Sequence, residues 1–142
     1  MAKRDSSLTY PVPVVRLIIP DEYRRILILR RQGGTHATNR WCLPGGKVDY
    51  GGTVRETVTK ELREETNLEC LSANFLFYQD GLPPAPGEMH CINLYFACRT
   101  KGDITLNDES SAFAWLDPVD VDEYHLAFGH DEGLRLYWRG QP

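Results

Sequence analysis

Three glutamates, Glu61, Glu64 and Glu65, crowd into the stretch "TVRETVTKELREETNL", which follows a Gly45-Gly46 pair. On a helix, residues three and four apart are neighbours, so Glu61 shares one flank with both Glu64 and Glu65. Like charges at that spacing repel by roughly a few tenths of a kcal/mol per pair. Lys60 can reach Glu56 and Glu64, but one ammonium cannot compensate three carboxylates. A hard divalent cation such as Mg²⁺ can, because it takes oxygen ligands, keeps several waters and accepts phosphate oxygens in its remaining positions. The backbone carbonyl of a bare glycine turn would add one more donor. The competing reading is a solvated acidic helix edge that binds nothing.

The elements that must position these acids are legible. Thr53 followed by Glu56 is a capping box, so a helix should start after Thr53. Val54, Val58 and Leu62 recur every four residues and form an apolar stripe. Asn67 tolerates the left-handed conformation that ends helices, and Leu68 can fold back onto the core. "VPVVRLIIP" and "RRILILRR" are β-branched-rich runs joined by "DEY", which predicts a hairpin. "RRQGGTHATNR" reads as a loop. "LSANFLFYQDG" and "EMHCINLYFACRT" read as strands around the proline-rich loop "LPPAPG", the second with Ile92, Leu94, Phe96 and Cys98 on one face. "SAFAWLDP" predicts another strand, "PVDVDEYHL" a helical turn and "GHDEGLRLYWRG" a closing helix. Strands interleaved with two substantial helices imply an α/β layered fold.

The 142 residues fit one domain, 1–142, with 1–10 as a flexible N-terminal segment. With 42% hydrophobic and 25% charged residues, disordered and fibrous classes are excluded. A net charge of −4 leaves no basic footprint for long nucleic acid. No apolar run approaches the ~20 residues of a membrane span, and the polar start "MAKRDSSLTYPVP" lacks a secretory signal. A cytoplasmic protein is the expectation. Cys42, Cys70, Cys91 and Cys98 show no C-x-x-C spacing and read as thiols, with a zinc or disulfide role as the alternative.

The stretch from Gly45 to Leu68 resembles the Nudix box, G-x5-E-x7-R-E-U-x-E-E-x-G-U, with U a bulky aliphatic. Placing Gly46 on the first glycine puts Glu61 on the glutamate of R-E, Glu64 and Glu65 on E-E, and Leu68 on the last U; Leu43-Pro44-Gly45-Gly46 is similar to the family's usual entry. The resemblance implies an α/β/α sandwich with a mixed β-sheet between helices. It implies that Glu61, Glu64, Glu65 and the Gly45 carbonyl ligate Mg²⁺ or Mn²⁺, and that the substrate is a diphosphate joined to another moiety, often a nucleoside. Three positions depart from the pattern: Gly52 replaces the first glutamate, Lys60 the arginine and Asn67 the last glycine. The missing glutamate–arginine pair bears on rate or substrate class. Asp49 could stand in by approaching Lys60, although an ammonium does not reproduce a guanidinium fork.

Outside the box, Glu109 in "LNDESSAFAW" is similar in place to a further metal-ligating glutamate of some Nudix hydrolases, with Asp108 as its competitor. Arg31, with Arg30, His36 and Asn39 nearby, resembles an arrangement in nucleotide-pool-cleaning members, where an arginine touches phosphate; plain surface charge is the alternative. Trp41 is a candidate base-stacking residue or a core residue. His130 is a weaker candidate for a general base, and Glu64 the stronger one, with Glu61 and Glu65 as the firmest ligands. The expected activity is Mg²⁺-dependent hydrolysis of a pyrophosphate bond in a nucleoside diphosphate derivative or nucleoside triphosphate. The alternatives are a catalytically silent nucleotide sensor of the same fold and, less in keeping with the chain length, a prenyl diphosphate isomerase that would need a reactive cysteine such as Cys42 or Cys91. Members of the family often pair, so a homodimer is an open expectation.

Overall fold

The computed structural model describes residues 10–33 and 37–140. Most of the expected N-terminal segment, and His36, lie outside the described residues. Among the described residues, seven strands form two sheets. β1 (Val12–Ile18), β4 (Gly45–Lys47), β5 (Glu69–Gly81) and β6 (Cys91–Lys101) make a mixed sheet in the order β4-β1-β6-β5. β2 (Ile26–Arg31), β3 (Trp41–Cys42) and β7 (Ser110–Leu116) make an antiparallel sheet in the order β3-β2-β7. The helices are α1 (Val54–Thr66), the short α2 (Val121–Tyr124) and α3 (His130–Trp138). The mixed α/β class with a mixed sheet agrees with the expectation.

Alternate residues of the central strands serve two cores. Val15, Leu17, Ile19, Leu27 and Leu29 pack with Val58 and Leu62 of α1. Ile18, Ile26, Ile28 and Leu43 pack with Tyr95 and with Leu134 of α3. Burial on both faces is what the unbroken apolar runs of β1 and β2 require. It also overturns the expected hairpin. β1 lies between β4 and β6, while β2 lies between β3 and β7, each pairing with strands distant in sequence. Their link survives only as the Pro20–Ile26 bridge and a turn in which the Asp21 carboxylate accepts from the Tyr23 and Arg25 amides. Two neighbouring runs that each need partners on both edges separate into different sheets once those partners arrive.

The helix that carries the acids forms as its sequence dictates. Thr53 Oγ1 accepts from the Glu56 amide at 3.0 Å, closing the N-terminus. Asn67 adopts φ 64° and its amide returns to the Arg63 carbonyl, closing the other end. Val58 and Leu62 are fully buried, which fixes the rotation of α1 and turns Glu61 and Glu65 toward β4.

Candidate active site

β4 brings the two glycines beneath α1. Gly45 lies opposite Arg16 and Gly46 opposite Val15 in the antiparallel pairing with β1. A Cβ on Gly45 would stand 2.0 Å from the Val15 carbonyl oxygen, and one on Gly46 would stand 1.8 Å from Glu61 Oε1. Only glycine lets the backbone pass so close to strand and carboxylate. The obstacle at Gly46 is the end of a flexible side chain, whereas at Gly45 it is backbone. Gly46→Ala is therefore expected to fold and to displace Glu61 by about 1 Å or more, lowering kcat roughly 10²-fold. Gly45→Ala is expected to lose roughly 1–3 kcal/mol of stability from overpacking. Thermal melts and steady-state kinetics on the two variants check both.

The acids occupy three levels of exposure. Glu65 is buried, and its Oε1 accepts from the Gly45 amide at a long 3.4 Å. Glu61 is half-buried against Gly46, and Glu64 is exposed. Burial, then the neighbouring Glu64, pushes the Glu61 carboxyl up to about 7. Burial, then Glu61, pushes Glu65 up to about 8, with the Gly45 amide and Arg16 opposing. Glu109, on the exposed loop ahead of β7, contributes to the rise at both. Its backbone is pinned to the end of β2, where the Gln32 amide donates to the Glu109 carbonyl at 2.9 Å. Glu61, Glu64, Glu65 and Glu109 thus share one electrostatic neighbourhood, in which Glu65 touches Gly45. Among the described residues no three His, Cys, Asp or Glu side chains already converge on a single metal-binding point. Mutually repelling carboxylates have no reason to converge without a cation. The donor set still fits a hard divalent ion: it is all oxygen, clustered, and partly desolvated at a cost that positive charge would remove.

Other candidates fall differently. Arg31 is half-buried, with its guanidinium 5.2 Å from the Phe128 ring centroid. Trp41 packs edge-on to Tyr124 at 5.4 Å and against the α3-side core. His130 is fully buried, and its Nδ1 accepts from the Leu43 amide at 2.9 Å. Burial, with Arg16 and Arg31 adding to it, holds its pKa well below the ordinary value, so the imidazole stays neutral. With no exposed surface and its Nδ1 engaged by the Leu43 amide, His130 does not meet substrate as a general base would; it braces the backbone just before Pro44-Gly45. Burial likewise pushes the Cys42 thiol up, away from the thiolate that isomerase chemistry would need. All four cysteines are free thiols. Arg16, lying beside Gly45 on β1, was not among the sequence candidates; its only signal was a lone charge inside "VPVVRLIIP".

The fold and this arrangement have recognisable relatives. The NUDIX domain description matches residues 10–137. The chain belongs to the Nudix family. It is 29% identical over 109 residues to the nucleoside triphosphatase NudI of Escherichia coli O81 (strain ED1a), covering 68% of this chain and 75% of that protein. The MutT protein of Methanosarcina mazei Go1 superimposes with a TM-score of 0.80 at 22% identity, covering 92% of this chain and 95% of that one. The NUDIX domain of Shewanella oneidensis NrtR, crystallised with ADP ribose, gives 0.76 at 17% identity, covering 92% and 88%. The chain is thus a Nudix pyrophosphohydrolase. Of the three departures from the Nudix box, Lys60 meets the partner that the sequence suggested: its Nζ donates to Asp49 Oδ2 at 3.2 Å. No helix among the described residues is long and apolar enough to cross a membrane.

Proposed function

We propose that the protein hydrolyses nucleoside triphosphates to nucleoside monophosphate and pyrophosphate with Mg²⁺, or Mn²⁺ in its place. The observation that carries the reading is the cluster of Glu61, Glu64, Glu65 and Glu109 against the Gly45-Gly46 strand. Glu61, Glu65 and the Gly45 carbonyl, with Glu64 and Glu109, would hold the cation. When bound, the cation supplies neutralisation of the charge that develops on the leaving phosphate and acidifies a ligated water.

The chain's own residues do the remainder. Glu64, the solvent-exposed acid of the trio, takes the water's proton. Gly46 keeps the Glu61 carboxylate seated, and the Gly45 amide fixes Glu65. Arg31, set near the Glu109 loop by the β2 end, meets a phosphate oxygen; the uncovered part of Trp41 is left for contact with the nucleoside. The identity to a nucleoside triphosphatase favours triphosphates over other diphosphate derivatives. The Lys60–Asp49 contact favours catalysis over silent sensing, because a cation and its carboxylate still flank the acidic turn. Free thiols fit a cytoplasmic setting.

Incubation with GTP, CTP, ATP or UTP and Mg²⁺, with products resolved by anion exchange, tests this. Monophosphate and pyrophosphate in equal amounts are expected, and their absence on removal of Mg²⁺. Binding of nucleotides without any product would make the protein a sensor and overturn the reading.

A further inference from the structure

Phe128 stands in the turn between α2 and α3 at φ 61° and ψ 20°, in the left-handed region that bulky side chains rarely adopt. Such strain persists only where the surroundings over-determine it. Here the chain is tied down on both sides of the residue. Arg40 Nη2 donates to the His125 carbonyl at 2.8 Å and to the Leu126 carbonyl at 3.2 Å. Gln79 Nε2 donates to the Gly129 carbonyl at 3.0 Å, and Gln79 Oε1 accepts in turn from Tyr95 OH at 2.8 Å. His130 follows, its Nδ1 engaged by the Leu43 amide.

What the pinned turn presents is one aromatic ring. Two guanidiniums share it, with the Arg16 carbon 5.1 Å and the Arg31 carbon 5.2 Å from the centroid. Burial of apolar surface does not account for this placement, since Phe128 remains 39% exposed. A guanidinium over an aromatic face is drawn to the ring's negative charge, the more so as water is excluded. The two arginines come from different sheets. Arg16, on β1, is buried; its Nε donates to Asn93 Oδ1 at 2.9 Å, and Asn93 Nδ2 donates onward to Gln79 Oε1 at 3.3 Å. Gln79 thus ties Arg16 and the Phe128 turn to one network. Arg31 ends β2, half-buried and beside the Cys42 thiol.

We propose that Phe128 is a positioning residue: its ring, braced on the Arg16 side, holds the Arg31 guanidinium in place for a phosphate oxygen of the substrate. The inference rests on the reading above in which Arg31 meets that oxygen. A long side chain loses rotamer freedom when it grips a phosphate, and one already held over a ring loses less. The strained backbone serves the same end, because a relaxed turn would carry the ring away from the end of β2.

The test is calorimetric titration with inorganic pyrophosphate in the presence of Mg²⁺, beside steady-state kinetics on a nucleoside triphosphate. Phe128→Gly removes the ring and suits the left-handed backbone, so the variant is expected to fold. It is expected to weaken pyrophosphate binding about 3- to 30-fold and to raise KM in step, with kcat within about twofold of the wild type. Phe128→Tyr keeps the ring face and is expected to hold both values near the wild type. In an Arg31→Gln background, Phe128→Gly is expected to weaken neither further, because the group it positions is already gone. Unchanged pyrophosphate affinity in Phe128→Gly would overturn the proposal, as would a Phe128→Tyr variant that binds as weakly as Phe128→Gly. A full further loss in the Arg31→Gln background would also overturn it, by making the ring a support that does not act through Arg31. If Arg31→Gln alone left pyrophosphate affinity unchanged, the phosphate contact and this inference would fall together, with the proposed hydrolysis untouched. Absence of hydrolysis would strike the activity alone, because the pyrophosphate series still decides the role of Phe128.

Discussion

Replacing Glu65 with glutamine is expected to lower kcat about 10³-fold while leaving the metal-free protein at least as stable as the wild type at pH 8. The activity half follows from the site. Glu65 is the most buried acid of the cluster and touches the Gly45 amide, so its second oxygen is the donor held most firmly beside the glycine carbonyl. A cation's contribution to transition-state charge stabilisation is worth several kcal/mol, and losing about 4 kcal/mol of it is about 10³-fold in rate. The stability half follows from charge. Glutamine keeps the shape and the acceptor for Gly45 but cannot ionise, so it escapes both the burial penalty and the repulsion from Glu61. A variant that merely unfolds would lose activity and stability together. Steady-state kinetics with saturating Mg²⁺ beside a pH 8 thermal melt separates the two cases.

The wild-type protein without metal is expected to lose stability as pH rises from about 5 to about 8. Glu61 and Glu65 ionise near 7 and 8 in the folded state, but near 4.5 once unfolding exposes them. Below 4.5 both states hold these protons, and the folded state carries no penalty. Between 4.5 and the folded values the unfolded chain releases protons that the folded chain keeps, so unfolding becomes easier with each pH step. Above about 8 both states are ionised and the loss is complete. Glu61 is half in solvent, so Glu65 dominates, and the combined loss is on the order of 3 kcal/mol. That corresponds to a fall of about 10 °C in Tm. Mg²⁺ at millimolar concentration is expected to restore most of the fall at pH 8 and little at pH 5, where protons already do its work. A flat melting temperature across this range would mean that the two acids are not crowded as described.

Local signals served the catalytic helix well. The Thr53–Glu56 capping box, the Val58–Leu62 stripe and the left-handed Asn67 are each decided within a few residues, and each stands where its chemistry placed it. The Lys60–Asp49 contact was legible from the departures from the box: with Gly52 in place of the glutamate, Asp49 was the loop carboxylate that could approach the lysine. Strand pairing was not legible: β1 and β2 meet their partners across long sequence separations, and neither run states which edge it will offer. The same distance hid the roles of two side chains. His130 looked like a polar residue at a helix start until Leu43, far back in the chain, supplied the amide that occupies its Nδ1. Arg16 looked like an interruption in an apolar strand until β5, β6 and the Phe128 turn closed around it.

The central claim is that the Glu61–Glu65 cluster exists to hold a divalent cation against a pyrophosphate. Titrating manganese into the wild-type protein at pH 8, with free Mn²⁺ followed by its electron paramagnetic resonance signal, tests it most directly. The account predicts saturable binding that tightens when a nucleoside triphosphate is present and is lost in a Glu61→Gln, Glu65→Gln double variant that still melts cooperatively. Manganese binding of equal strength in the wild type and that variant would contradict it.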